Sequence, residues 1–205
     1  MNRAFRPSLL AAALLGTAAF SGPAMAELSA NIGVTSNYLF RGVSESNDDA
    51  AVFGGLDYEH ASGLYVGTWT SSLGGGGSYE LDGYVGFAGE AGGFGYDLGF
   101  IYYGYPTDSA AEFYEVYASF SYDIAEAGIA FDPDNEDVYV YGGVSFDLFD
   151  GFSLGALVGH YMFDEGDDYT HGQLSLAKGD FTFAVDATDI DDYDPRVSVS
   201  WSMNF

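Results

Sequence analysis

From Leu28 onward, apolar and polar residues alternate with a period of two. Leu28, Ala30, Ile32, Val34, Tyr38 and Phe40 interleave with Ser29, Asn31, Thr35, Asn37 and Arg41, and only Ser36 interrupts the apolar side. The last ten residues repeat the pattern, with Val197, Val199, Trp201, Met203 and Phe205 set against Arg196, Ser198, Ser200, Ser202 and Asn204. Such alternation marks a strand with one dry and one wet face. Ten further segments carry it between these two, at 50–59, 63–72, 78–89, 93–104, 112–123, 127–132, 136–148, 152–163, 168–177 and 180–188. With 27–41 and 196–205 the pattern predicts twelve strands. Most have about the 9–11 residues that a tilted strand needs to cross a bilayer. The short segment 127–132 is the weakest; without it the count falls to ten.

The connections alternate in kind. His60-Ala61-Ser62, Glu90-Ala91-Gly92, Asp150-Gly151 and Lys178-Gly179 are short, whereas 42–49, 73–77, 105–111, 132–135, 164–167 and 189–195 are longer and polar. Short turns on one side of a membrane and long loops on the other are expected of a spanning barrel. Both termini then lie at the short-turn end, which requires an even strand number. The expected fold is all-β: a closed antiparallel up-and-down transmembrane β-barrel of twelve strands, with ten as the alternative. The single barrel domain covers 27–205.

Residues 1–26 read as a cleaved secretory leader. Arg3 and Arg6 precede the short apolar run 9–20, Gly22-Pro23 breaks it, and Ala24-Met25-Ala26 fits a small-x-small cleavage site. The run is too short for a spanning helix. The expected location is the bacterial outer membrane, reached by secretion across the inner membrane.

Charge narrows the range of partners. Removing Arg3 and Arg6 with the leader takes the formal net charge from −26 to −28 and leaves Arg41, Lys178 and Arg196 as the basic residues. Nucleic acid is excluded as a partner, because binding it requires neutralising phosphates. Disorder is excluded by an aromatic content of 18%. The acidic surplus gathers in the long loops, as in Asp132-Pro133-Asp134-Asn135-Glu136-Asp137 and Asp164-Glu165-Gly166-Asp167-Asp168. A solvated, repulsive rim is the favoured reading of these loops. Divalent cations such as calcium are the rival reading, although no run has EF-hand spacing. The chain has no cysteine, so disulfides and thiolate metal sites are excluded. No cofactor is expected.

Many of the 29 glycines fall inside strands, among them Gly83, Gly86, Gly99 and Gly159, where they relieve crowding in a curved barrel. Tyr38, Phe40, Tyr58, Tyr102, Tyr103, Tyr161 and Phe163 lie near strand ends and are expected at the lipid–water boundary. Phe205 ends the alternating closing strand that also carries Trp201, and this pair is expected to be an assembly signal. The partners implied are outer-membrane lipid, the barrel-assembly machinery and periplasmic chaperones.

The run Asn37-Tyr38-Leu39-Phe40-Arg41-Gly42-Val43-Ser44, with Ser29 to Ser36 before it, resembles the opening of the TorF-type porins of proteobacteria. So do the stretches from Gly54 to Trp69 and from Tyr96 to Pro106, and the resemblance weakens toward Phe205. It implies an outer-membrane barrel that admits small solutes. It carries over no catalytic residue.

Alternation also assigns the inward face. A charged side chain facing lipid near the midplane costs about 2–4 kcal/mol. Arg41, Glu80, Asp82, Asp97, Glu115, Asp147, Asp186 and Arg196 are therefore expected to point inward, beside Asn31, Thr35, Asn37, Ser198, Ser200, Ser202 and Asn204. Arg41 and Arg196, near the outer ends of adjoining strands, are expected to form one basic patch facing Glu80 and Glu115. In the alternative, each arginine pairs locally with a carboxylate and the lumen is filled.

The expected function is a passive channel for small polar or cationic solutes. The alternatives are a filled barrel acting as a structural or cation-binding surface protein, and a rim hydrolase. The third needs a histidine base. His60 lies in a short turn, His160 shares a register with Val158 and Met162, and His171 lies near Asp167 and Asp168 without any catalytic motif. A hydrogen-bonding lumen histidine is the favoured reading of His171, and the protein is not expected to be an enzyme. A soluble carbohydrate-binding sandwich would leave the outward apolar faces unexplained.

Overall fold

The computed structural model describes residues 27–74 and 77–205. The leader expected over 1–26 lies outside the described residues. Among the described residues fourteen strands occur in chain order: β1 Glu27–Thr35, β2 Leu39–Phe40, β3 Val43–Ser44, β4 Ala51–Glu59, β5 Leu64–Ser72, β6 Tyr79–Ala91, β7 Phe94–Gly104, β8 Phe113–Tyr122, β9 Ala125–Asp132, β10 Asp137–Asp147, β11 Phe152–Met162, β12 Tyr169–Lys178, β13 Phe181–Thr188 and β14 Arg196–Asn204. Twelve of them, all but β2 and β3, form one closed antiparallel barrel in which each pairs with its neighbours in sequence. β1 closes the ring against β14, with Val34 opposite Trp201 and Thr35 opposite Ser200. The twelve-strand reading therefore holds, and the doubtful segment is β9.

The alternation places apolar side chains outside and polar ones inside. Leu28, Val52, Leu56, Val85, Val158 and Leu174 are exposed, whereas Glu80, Asp82, Glu115 and Asp186 are at most 2% exposed. A soluble protein does the reverse; a continuous apolar outer wall suits hydrocarbon. The ring closes on itself, so among the described residues the wall has no edge strand left without a neighbouring strand.

Tyrosines from one strand lie across glycines of the next and fill the interior. Tyr65 of β5 is opposite Gly86 of β6, and Tyr84 of β6 is opposite Gly67 of β5. A Cβ on either glycine would run into the facing ring. The glycines thus make room for inward rings, which then cover the bare backbone.

Two expectations are corrected. The first strand ends at Thr35 rather than at residue 41, and 36–50 is a connection containing the separate β2–β3 hairpin. The chain leaves the wall where Ser36 broke the alternation: Ser36 Oγ still accepts from Val199 N at 2.9 Å, but Tyr38 and Phe40 lie inside the barrel. Most of the expected boundary aromatics are also internal. Tyr58 and Tyr102 are outward, while Tyr38, Tyr103 and Tyr161 are buried in the lumen and Phe163 stacks on Tyr169.

The lumen and the hairpin inside it

The β2–β3 hairpin turns on Arg41 and Gly42, both with positive φ (49° and 84°), the backbone that a tight two-residue hairpin demands. Gly42 is required twice, since a Cβ there would meet His171 and Thr188 of the wall. The tip thus presses on β12 and β13.

At this tip Arg41 meets the opposite wall. Its Nη1 and Nη2 donate to Glu115 Oε1 and Oε2, each at 2.8 Å, in a two-pronged ion pair. Tyr103 Oη donates to Glu115 Oε2 at 3.1 Å. The guanidinium lies over three rings, 4.5 Å from Phe40, 4.0 Å from Tyr139 and 4.8 Å from Tyr161. Both charged side chains are nearly inaccessible, at 8% and 3%. Taking them out of water is costly, and geometry of this quality is what offsets it.

The base of the loop is held by polar contacts. Ser46, fully buried, accepts from Tyr38 N at 2.9 Å. Asn37 Nδ2 donates to Asp48 Oδ1 at 2.8 Å, and Arg196 Nε donates to the same oxygen at 2.7 Å. Ser44 N donates to Tyr193 Oη at 2.9 Å. Arg196 beside Asp48 holds the Asp48 carboxyl below the ordinary aspartate range. Burial pushes the Glu45 carboxyl up.

Along the wall, carboxylates meet tyrosines and amides. Tyr65 Oη donates to Asp97 Oδ1 at 2.7 Å, Tyr84 Oη donates to Asp57, Tyr38 Oη donates to Glu80 Oε1 at 3.2 Å, and Gln173 Nε2 donates to Asp186 Oδ1 at 2.9 Å. Among the described residues, Glu80 Oε2, both oxygens of Asp82, and Asp186 Oδ2 are buried without a hydrogen-bond partner. A cavity of about 140 Å³ lies beside Arg41 and Glu115 and reaches His171, Gln173 and Asp186.

Glu80, Asp82, Asp97, Glu115 and Asp186 lie on inward positions of β6, β7, β8 and β13, whereas Asp147 is exposed at the end of β10. Arg41 and Arg196 do not form a shared basic patch. Arg41 is not on a barrel strand, so adjacency of β1 and β14 cannot bring the two together; each binds its own carboxylate instead. His171 does not pair with Asp167 or Asp168: its Nε2 meets Tyr139 Oη at 2.8 Å, and Asp168 accepts from Phe163 N. His160 lies on the outward register of β11 with Val158. Among the described residues no group of three histidines or carboxylates is placed to hold a metal. Sequence reasoning missed the rings around Arg41. Their signal was available as Tyr103, Tyr139 and Tyr161, all on the inward parity of their strands.

These features define a closed twelve-stranded barrel with a polar, aromatic-lined interior. Residues 19–198 match the family described as "Bacterial protein of unknown function (Gcw_chp)", and the chain belongs to that family. No curated protein matches it in sequence. Among solved structures it resembles a KdgM porin, with a TM-score of 0.57 and 10% identity over 86% of this chain and 98% of that one. A KdgM porin in complex with disordered oligogalacturonate gives 0.55 and 8% over 87% and 97%. The Acinetobacter baumannii outer membrane protein Omp33 gives 0.55 and 7% over 90% and 98%. Similarity at these identities establishes the shared barrel fold.

Proposed function

We propose that this protein is a non-enzymatic outer-membrane channel of a Gram-negative bacterium, passing small polar or cationic solutes. The reading rests on one observation: the inward wall carries Glu80, Asp82, Asp97, Glu115 and Asp186, while both arginines near it are engaged by carboxylates. A passage lined this way favours cations and neutral polar molecules over anions. The oligogalacturonate in a similar barrel is a polyanion, and this wall is a poor host for one. The acidic outer loops would add to the same preference by concentrating cations at the mouth. The resemblance to TorF-type porins, the leader over 1–26, and Trp201 with Phe205 as a signal to chaperones and the assembly machinery all belong to this reading.

The hairpin supports a second reading, in which the lumen stays filled and the barrel serves as a surface protein. Single-channel recording of the refolded chain in a planar bilayer separates the two. The channel reading expects small conductance with a cation-selective reversal potential, larger in Arg41→Ala. No conductance in either protein leaves the filled barrel.

A further inference from the structure

We infer that the pocket holding Arg41 is a recognition site for a guanidinium-bearing solute, and that Arg41 is a tethered occupant of it. This deepens the reading of the barrel as a solute-handling protein and rests on it. The wall supplies nearly the whole pocket. Glu115 comes from β8, Tyr103 from β7, Tyr139 from β10 and Tyr161 from β11, and only Phe40 arrives with the hairpin. The pocket's shape therefore belongs to the barrel and does not need Arg41 to create it.

Its chemistry suits a guanidinium specifically. A carboxylate met by two parallel N–H groups matches the planar fork of a guanidinium and not the point charge of an ammonium. The flat faces of Tyr139 and Tyr161 on the wall suit a flat, weakly hydrated cation, and Phe40 adds a third while the hairpin stays. A metal ion or potassium ion would use the carboxylate and waste the rings.

The surroundings leave room for the remainder of a solute. The cavity of about 140 Å³ is bordered by Arg41 and Glu115 at one side and by His171 and Asp186 at another. Asp186 Oδ2 and His171 Nδ1 are buried there without a partner among the described residues, and their side chains belong to residues 1% and 5% exposed. Unpaired buried polar atoms are uncommon and costly. A solute with its guanidinium in the ring-lined pocket and a second donor would satisfy Asp186, which the hairpin does not. Such a solute competes with Arg41 and frees the lumen as it binds.

The test reads binding rather than current, so it fails separately from the channel proposal. Full-length barrel is refolded in detergent, and folding is checked by heat-dependent gel mobility. Methylguanidinium chloride is titrated by calorimetry, with methylammonium chloride as the control cation. Arg41→Ala should bind methylguanidinium about tenfold or more tighter than the wild type does, and Arg41→Ala/Glu115→Gln should lose about that factor again. Methylammonium, a point charge without the fork, should show much smaller changes. Should Arg41→Ala fail to refold, Arg41→Lys is read in its place; it retains a cation but not the fork, and should bind methylguanidinium more tightly than the wild type. Equal affinity in wild type and the variant read, equal response to the two cations, or indifference to Glu115→Gln in Arg41→Ala overturns the inference. Binding without conductance in any variant would overturn the channel and leave the site.

Discussion

Two connections at the same end of the barrel behave in opposite ways. Residues 37–46 turn into the lumen, while 164–168 stay outside and exposed. The inward loop brings Tyr38, Leu39, Phe40 and Val43 around a single cation. The outward one reads Asp164-Glu165-Gly166-Asp167-Asp168. An interior lined with carboxylates and rings repels the second and accepts the tip of the first, 37–44, which offers apolar area and one positive charge, while the acidic Glu45, Asp48 and Asp49 follow at the loop's base. Loop placement here follows charge complementarity with the wall as much as loop length. The two arginines repeat the contrast on a smaller scale: their ion pairs are nearly equal in length, 2.8 Å and 2.7 Å, but Arg41 is sealed in the lumen and Arg196 is at the rim.

Removing the buried charge partner should disturb this contrast most. The chain has no cysteine, so Val43→Cys gives a clean reporter of hairpin position by maleimide labelling. Adding Glu115→Gln leaves Arg41 buried and unpaired, a loss of about 3–5 kcal/mol, and should raise labelling about a hundredfold or more. Next comes Gly42→Val. Its backbone sits at φ 84° and its Cβ would strike His171 and Thr188, so the hairpin should be displaced at a cost of about 1–3 kcal/mol, again read as faster labelling. Unchanged labelling in both variants would mean that the hairpin is held by something other than its tip.

Smaller effects should come from the rim. Arg196→Gln should leave Val43→Cys labelling close to that of the parent, because exposed ion pairs contribute little. Neutralising Asp164, Asp167 and Asp168 should change cation selectivity at the mouth without moving the hairpin.

The smallest effect is with pH. Asp48 has a lowered carboxyl pKa, so its hold on the loop is present above the ordinary value of 3.8 and is lost as pH falls through the lowered one. Glu45, raised by burial, acts in the opposite sense: its charge counts against the inward loop above its raised value, and protonation removes that cost. Mild acid should therefore tighten the loop slightly and strong acid loosen it. Trp69 packs 5.4 Å from Tyr38, so its fluorescence in a Trp201→Phe background follows both steps.

Much of the barrel was legible in the alternation because an apolar outer face penalises a misplaced charge. That penalty placed Glu80, Asp82, Asp97, Glu115 and Asp186 on the inner face without any contact being known. It could not place Tyr38 and Phe40, since a ring on an apolar register looks the same whether it faces lipid or packs inside a lumen. Ser36 was the visible break, but a single polar residue on that side does not say where the chain goes next. The pairing of Arg41 with Glu115 was out of reach for a different reason: it spans 74 residues and depends on a loop leaving the wall. The expected partnership of Arg41 with Arg196 failed for the same reason.

The hairpin also has a consequence for the order of folding. Its own turn and the contacts within the loop are local, but the wall partners that anchor its tip and its rim lie far along the chain. Arg41 waits for β8, β10 and β11, Ser44 for Tyr193 at a separation of 149 residues, and Asp48 for Arg196 at 148. Contacts of such separation form late, after the intervening chain has been brought together. The seat is complete only when β14 has arrived. Docking of Arg41 and its loop thus reports that the ring has closed, and an unfinished barrel would keep this loop outside.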